Sequence, residues 1–131
     1  MAFIRTLLVD DSSEFLEAAS RFLSSDPQIE IVGATASGEE ALQKVSLLNP
    51  DLVLMDLAMP GLNGLEATRQ LKNQPDAPRV VLLTLHDNHE YRKASEDVHA
   101  DGFVPKSEFG VKLLPLIHTL FTEESYSIPQ Q

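Results

Sequence analysis

The sequence predicts an α/β fold, a doubly wound sheet of five parallel strands with helices on both faces. Short apolar runs alternate with amphipathic stretches along the 131 residues, which is the pattern of repeated strand–helix units. Two central runs are apolar almost throughout, as expected for strands that are covered on both faces. The length and the 43% of apolar residues suit one domain with one core.

The five predicted strands are the short apolar runs of the chain. The first, FIRTLLV, leads directly into two acids, and the second follows an Asp-Pro break. The third and fourth, DLVLMD and RVVLLT, are the most apolar, and the fifth is the short segment GFV. Their predicted bounds are 3–9, 29–34, 51–56, 79–84 and 102–104.

The five predicted helices are the amphipathic stretches that follow each strand. The first has apolar residues on one face at 3.6-residue spacing, with Ser12 or Ser13 as its N-cap. Gly61 and Gly64 are expected to serve backbone geometry between the third strand and its helix. Pro115 in the last helix is tolerated only in the first turn or at a kink. The predicted bounds are 12–24, 37–49, 62–72, 88–98 and 110–121.

The charge and composition exclude several classes of function. Ten Lys and Arg against twenty Asp and Glu give a net charge of −10, the wrong sign for binding nucleic-acid phosphates or an anionic membrane. The absence of cysteine excludes disulfides, thiolate metal sites and a cysteine nucleophile. No apolar run approaches the roughly 20 residues of a membrane span, and the opening MAFIRTLLVDD lacks the pattern of a secretory signal. We expect a soluble, cytoplasmic domain that binds neither nucleic acid nor membrane directly.

Five polar side chains lie at the carboxyl ends of the predicted strands. Asp10 and Asp11 follow the first strand, Asp56 ends the third, Thr84 ends the fourth, and Lys106 lies just past the fifth. In an open α/β sheet, ligands bind at this edge, where the winding reverses. Three neighbouring carboxylates repel one another unless a cation is present, and their oxygens suit a hard divalent ion, magnesium best. The sequence therefore predicts a Mg²⁺ site with a hydroxyl and an ammonium beside it.

Four motifs occur in a fixed order at these strand ends. They are LLVDD at 7–11, DLAMPGLNG at 56–64, the strand-ending Thr84, and GFVPK at 102–106. With them the chain, over about residues 4–121, resembles the receiver domains of two-component response regulators. The resemblance implies a flavodoxin-like strand order, 2-1-3-4-5. The segment DGFVPKSE at 101–108 is most similar to receivers that precede a helix-turn-helix output domain.

The resemblance implies a role for each residue of this edge. Asp56 would be the phosphoacceptor, its carboxylate attacking the phosphohistidine of a sensor histidine kinase or a small-molecule phosphodonor. Asp11 and Asp56 would bind Mg²⁺ directly, Asp10 would act mainly through a metal-bound water, and Ala58 would contribute its backbone carbonyl. Lys106 would pair with the phosphoryl oxygens.

The resemblance also implies how phosphorylation is read out. The Thr84 hydroxyl would hydrogen-bond the phosphoryl group, and Phe103 would change rotamer as Thr84 moves. The change would reach the face of the fourth helix, fifth strand and fifth helix, where a homodimer partner or an output domain would bind. The implied function is a phosphorylation-dependent signalling switch that is not an enzyme. It would be the N-terminal part of a transcriptional response regulator, with the receiver over 1–121 and a polar tail or linker over 122–131, or else a stand-alone receiver.

Two positions depart from the commonest family pattern. Ser107 stands where a proline in cis linkage usually follows the lysine, and a non-proline cis bond costs about 3 kcal/mol, so we expect a trans bond or strain held by packing. Leu85 stands directly after Thr84, where a small residue is usual. A bulky side chain there is expected to narrow the approach to Asp56, unless it turns away into packing against the fourth helix.

Two other functions compete with the switch. A magnesium-dependent phosphatase with an aspartyl nucleophile would present two acids separated by one residue and a cap insertion, whereas Asp10 and Asp11 are adjacent and no large insertion is present. A non-phosphorylated interaction module would keep only the fold. The complete set of three acids, Thr84 and Lys106 argues against that loss.

Overall fold

The computed structural model describes residues 3–127, with the side chains of residues 3–122. Strands and helices alternate over this part of the chain as the sequence predicts. The strands are β1 (Ile4–Val9), β2 (Ile29–Thr35), β3 (Leu52–Asp56), β4 (Arg79–Thr84) and β5 (Gly102–Pro105). The helices are α1 (Ser13–Ser24), α2 (Gly38–Leu48), α3 (Gly64–Lys72), α4 (His89–Asp97) and α5 (Phe109–Ser127), and a short 3-10 turn, Lys106–Glu108, precedes α5.

The strands form one sheet in the order β2-β1-β3-β4-β5. All four neighbouring pairs are parallel, so the carboxyl ends of all five strands lie along one edge. The doubly wound fold and the predicted strand order are therefore confirmed. The order places β1 next to β3, which brings the ends of the first and third strands together.

Each face of the sheet carries its own apolar layer. Successive strand residues point to opposite faces, so Leu8 packs with α1 and α5 whereas Val9 packs with α2 and α3. In the two central strands both sets are buried, since Leu54 joins the first layer and Val53 the second. This burial on both faces explains the nearly continuous apolar runs of β3 and β4.

Side-chain caps define the starts of the helices. The Ser12 hydroxyl accepts a hydrogen bond from the Phe15 amide at 3.2 Å, which confirms Ser12 as the N-cap of α1. Asn63 accepts in the same way from Glu66 at 2.9 Å. The third helix therefore begins at Gly64, two residues later than the sequence pattern predicted.

The last helix is longer than predicted, because it continues from residue 121 to Ser127. Residues 122–127 are polar, yet they contain neither glycine nor proline to end a helix, so polarity alone was a poor stop signal. Residues 128–131 of the predicted tail lie outside the described residues. Pro115 is the seventh residue of α5, so of the two predicted alternatives the first turn is wrong, and a kink stays a prediction. It cannot donate to the Val111 carbonyl, but both residues are exposed, so water can satisfy that group.

No helix in the described part of the chain is both long enough and apolar enough to cross a membrane.

Candidate functional site

Three carboxylates meet at the carboxyl edge of the sheet. In the parallel pairing of β1 with β3, Val9 lies beside Met55, so Asp10 and Asp56 come next to each other at the strand ends. One carboxylate oxygen from each of Asp10, Asp11 and Asp56 lies within 4.8 Å of the others. Asp10 is 1% exposed and Asp56 is 7% exposed, while Asp11 is open to solvent. The structure thus brings together the three acids that the sequence predicted.

The backbone around Asp10 holds its side chain in place. Its amide donates to the Thr35 carbonyl at 3.1 Å, and its Oδ1 accepts from the Ser12 amide at 2.9 Å. Oδ2 accepts no hydrogen bond of good geometry, although it lies 2.6 Å from the Lys106 ammonium. A buried carboxylate oxygen paired only by charge is a suitable ligand for an additional cation.

Lys106 places its ammonium between two of the acids. Its Nζ lies 2.6 Å from Asp10 Oδ2 and 3.6 Å from Asp56 Oδ2, and the lysine side chain is only 9% exposed. The same Nζ lies 4.3 Å from the centre of the Phe15 ring. In the sequence, Phe15 is one of the apolar residues of the first predicted helix, and no sequence signal indicates its contact with Lys106.

The electrostatic environment of Asp56 opposes its ionised form. Burial is the largest cause that raises its pKa above the ordinary aspartate value, and the charges of Asp10 and Asp11 add to it. The Lys106 ammonium and the Ala58 amide, which donates to Asp56 Oδ1 at 3.4 Å, act in the opposite direction. Burial and repulsion together prevail, so the pKa of Asp56 is raised despite the neighbouring ammonium.

The donor set fits a hard divalent cation. It consists of two buried carboxylates and the exposed carboxylate of Asp11, and one buried oxygen lacks a hydrogen bond. Carboxylates together with waters are the usual ligands of Mg²⁺. The part of the Ala58 carbonyl in a metal site, and the division between direct and water-mediated ligands, remain predictions.

The Thr84 hydroxyl faces its own loop. Thr84 is 2% exposed and lies one residue beyond Leu83, the β4 partner of Asp56. Its Oγ1 accepts from the His86 amide at 3.0 Å and donates to the His86 carbonyl at 3.1 Å. Thr84 is therefore near the acids, but in this structure its hydroxyl is occupied by the β4–α4 loop.

Phe103 lies beneath a charged pair, Arg92 and Asp87, that no sequence pattern indicates. The Arg92 guanidinium lies 4.8 Å from the centre of the half-buried Phe103 ring. Arg92 also donates two hydrogen bonds to the Asp87 carboxylate, at 2.7 and 3.0 Å. These contacts connect α4 to the β4–α4 loop that holds Thr84 and to the strand that carries Phe103.

Comparison with known proteins identifies the family of this chain. The sequence model of the response regulator receiver domain matches residues 6–118. The chain belongs to the response regulator receiver family. It is 36% identical over 128 residues to the response regulator GacA of Pseudomonas viridiflava, covering 97% of this chain and 59% of GacA. It is 32% identical to the transcriptional regulatory protein DegU of Brevibacillus brevis, covering 97% of this chain and 54% of DegU. The receiver thus spans little more than half the length of these relatives.

Solved structures agree with this assignment. A LuxR-family two-component response regulator from Aurantimonas is 30% identical with a TM-score of 0.87, covering 93% of this chain and 87% of that one. The signal receiver domain of the response regulator NarL from Mycobacterium tuberculosis is 25% identical with a TM-score of 0.86, covering 92% and 97% respectively. The flavodoxin-like receiver fold is therefore shared along nearly the whole chain.

The two positions that depart from the receiver pattern have defined conformations. The described residues contain no cis peptide bond, so the bond between Lys106 and Ser107 is trans, one of the two expected outcomes. Leu85 is 75% exposed. The alternative in which Leu85 packs into the fourth helix is therefore wrong, while its effect on access to Asp56 stays a prediction.

Leu85→Ala is expected to change rates rather than stability. Because the side chain is exposed, the free energy of unfolding should stay within about 0.5 kcal/mol of the wild-type value. If the leucine narrows the approach to Asp56, both phosphorylation and hydrolysis should accelerate, by up to about 10²-fold. Denaturant unfolding and dephosphorylation kinetics on the same variant check both points. An unchanged hydrolysis rate would reject the steric role of Leu85.

Proposed function

We propose that this receiver is a signalling switch that accepts a phosphoryl group on Asp56 from a sensor histidine kinase in a Mg²⁺-dependent reaction. The observation that carries this proposal is the position of the Lys106 ammonium, 3.6 Å from Asp56 and 2.6 Å from Asp10, within a group of three acids. Membership of the receiver family supports the same role. The domain would catalyse only its own phosphorylation and dephosphorylation.

In the proposed transfer, Asp56 acts as the nucleophile. A carboxylate oxygen forms a bond to phosphorus as the bond from phosphorus to the histidine nitrogen breaks, and that nitrogen keeps the electron pair. Lys106 would neutralise negative charge on the phosphoryl oxygens. Asp56 must be ionised to attack, and burial raises its pKa in the metal-free protein, so a bound cation would favour the reactive carboxylate.

The metal would be held by Asp10, Asp11 and Asp56, with the Ala58 carbonyl as a further oxygen ligand. When bound, Mg²⁺ supplies positive charge for the phosphoryl oxygens and offsets the repulsion among the acids. The buried, non-hydrogen-bonded Oδ2 of Asp10 supports a cation at this place.

Thr84 and Phe103 would transmit the effect of Asp56 phosphorylation to the surface of the domain. The Thr84 hydroxyl would leave the His86 backbone for a phosphoryl oxygen, which would release the β4–α4 loop. Phe103 would change rotamer beneath Arg92, so the surface of α4, β5 and α5 would be altered. A homodimer partner or an output domain would bind this surface.

The whole protein is proposed to be a transcriptional response regulator. DegU is named a transcriptional regulatory protein, and the Aurantimonas structure is named a LuxR-family regulator. We propose a receiver over residues 1–121 with a linker beginning in 122–131, and the net charge of −10 supports a receiver that does not itself bind DNA. A stand-alone receiver is the alternative. One relative is named a protein-glutamate methylesterase, but this chain covers only 28% of its length, which gives no argument for esterase activity here.

Acetyl phosphate tests the proposed chemistry directly. With Mg²⁺, the wild-type protein should gain one phosphoryl group that is labile to base and hydroxylamine, as an acyl phosphate is. Chelation with EDTA should stop the gain, and Asp11→Ala should remove metal binding and most of the rate. Intact-mass spectrometry measures the product. Equal phosphorylation with and without EDTA would contradict the proposed metal dependence.

Amide exchange tests the proposed output surface. Addition of beryllofluoride with Mg²⁺ should change exchange over residues 84–108, because this segment contains the Thr84 loop, α4 and Phe103. The helix α4 buries only Ser95 fully, so it should be among the least protected elements. Exchange changes confined to α1 and α2 would contradict the proposed route.

A further inference from the structure

The Lys106 ammonium contacts an aromatic ring as well as two carboxylates. Its Nζ faces Asp10, Asp56 and the ring of Phe15, whose centre is 4.3 Å away. A cation within about 6 Å of an aromatic ring centre is attracted to its face, more strongly where water is excluded. Because the lysine side chain is only 9% exposed, this contact is largely shielded from water.

The contact between Lys106 and the Phe15 ring differs from its contacts with the two acids, because metal binding and phosphorylation do not remove it. A divalent cation would compete with Lys106 for Asp10 and Asp56, and phosphorylation would convert the Asp56 carboxylate into an acyl phosphate. The Phe15 ring is uncharged and stays available in each of these states. A flexible lysine that loses its carboxylate partners would otherwise gain conformational freedom toward solvent.

Phe15 is itself held by other aromatic residues. Its ring meets that of Phe109 edge-on, with centres 5.3 Å apart and planes at 62°. Phe109 in turn lies 4.9 Å from Phe22, which follows Phe15 by about two turns on the same face of α1. Phe109 is the first residue of α5, three positions after Lys106, so this aromatic cluster connects α1 to the segment that carries the lysine.

We propose that Phe15 is a positioning residue that holds the Lys106 ammonium beside Asp56 through the face of its ring. The proposal rests on the proposed phosphorylation of Asp56, since its consequence is the rate of that reaction. Phe15 touches no reacting atom and acts only through Lys106.

Phe15→Leu, with Phe22→Leu as its matched control, tests the proposal. Both variants remove one ring from the cluster on the same helix, but only the first removes a contact with Lys106. Phosphorylation by acetyl phosphate should slow about tenfold in Phe15→Leu. It should stay close to the wild-type rate in Phe22→Leu and be restored in Phe15→Tyr, which keeps an aromatic face. In a Lys106→Ala background, Phe15→Leu should slow the reaction no further. Equal rates for Phe15→Leu and Phe22→Leu, or an undiminished effect without Lys106, would overturn the proposal.

A spectroscopic measurement tests the same contact without any phosphorylation. The ε-methylene protons of Lys106 should be shifted upfield by the Phe15 ring current, and the shift should be lost in Phe15→Leu but kept in Phe22→Leu. Lys106→Arg assigns the signal. A Lys106 signal without an upfield shift in the wild-type protein, or one unchanged in Phe15→Leu, overturns the positioning role even if Asp56 is phosphorylated normally. A wild-type protein that keeps the shift but takes up no phosphoryl group would instead contradict the proposed function.

Discussion

Asp56→Asn is expected to abolish phosphorylation by acetyl phosphate and Mg²⁺. The amide keeps the size of the side chain and its place at the end of β3, but it removes the anionic oxygen that would attack phosphorus. Intact-mass spectrometry at saturating donor should show no phosphorylated species. Asp76→Asn, at an exposed residue before β4, is the matched control and should be phosphorylated like the wild type. Undiminished phosphorylation of Asp56→Asn would show that the acceptor is another residue.

The same variant should be more stable than the wild type at neutral pH. Burial, more than the neighbouring acids, raises the pKa of Asp56 in the folded protein above its unfolded value. The folded state therefore binds this proton more tightly, so stability falls as the pH rises from the unfolded pKa through the folded one. Asparagine carries no charge and avoids that loss, and the difference from the wild type should shrink as the pH falls toward about 4. Urea unfolding in the absence of metal at both pH values measures it. A variant less stable than the wild type at neutral pH would contradict the direction of the shift.

The edge of the sheet that carries the site could be predicted because backbone topology alone determines it. Asp10 and Lys106 each follow a strand and Asp56 ends one, and parallel strands place their carboxyl ends at one edge whatever the side-chain packing. The prediction therefore needed only the strand bounds, which a period of two and the apolar runs define within one or two residues.

Contacts between side chains from distant elements could not be predicted in this way. The ring of Phe15 over Lys106 and the guanidinium of Arg92 over Phe103 depend on rotamers and on the height of a helix above the sheet. His118 likewise lies 2.6 Å from Asp26, a residue 92 positions away in the sequence. Such pairs combine residue types that occur together by chance in any sequence, so they become visible only in the folded chain.

Gly64→Ala is expected to destabilise the receiver strongly, because α3 begins against the backbone of the phosphoacceptor residue. A Cβ at this position would lie 2.2 Å from the Asp56 carbonyl oxygen and 2.9 Å from the Leu57 Cα. The Gly64 amide also donates to the Leu57 carbonyl at 2.9 Å, which holds the two segments together. Neither neighbour is a side-chain end that can rotate away, so the end of β3 or the start of α3 must move. We expect a loss of about 3 kcal/mol or more in the free energy of unfolding.

Alanine substitutions at Gly110 and Gly38 are the controls for Gly64→Ala. They distinguish the effect of an added methyl group on stability from its effect on the position of Asp56. Gly110→Ala places the methyl group in open space on α5 and should leave stability unchanged or raise it by up to about 1 kcal/mol. Gly38→Ala brings its Cβ to 2.3 Å from the Leu62 carbonyl oxygen, so it should destabilise the protein without touching Asp56. Phosphorylation rates of the folded fraction should therefore fall more in Gly64→Ala than in Gly38→Ala, since only the first moves the carboxylate relative to Lys106. If Gly64→Ala and the wild type have the same midpoint of denaturant unfolding, the close approach of α3 to β3 does not constrain the site. If both glycine variants slow phosphorylation equally, the displacement of Asp56 is not the cause.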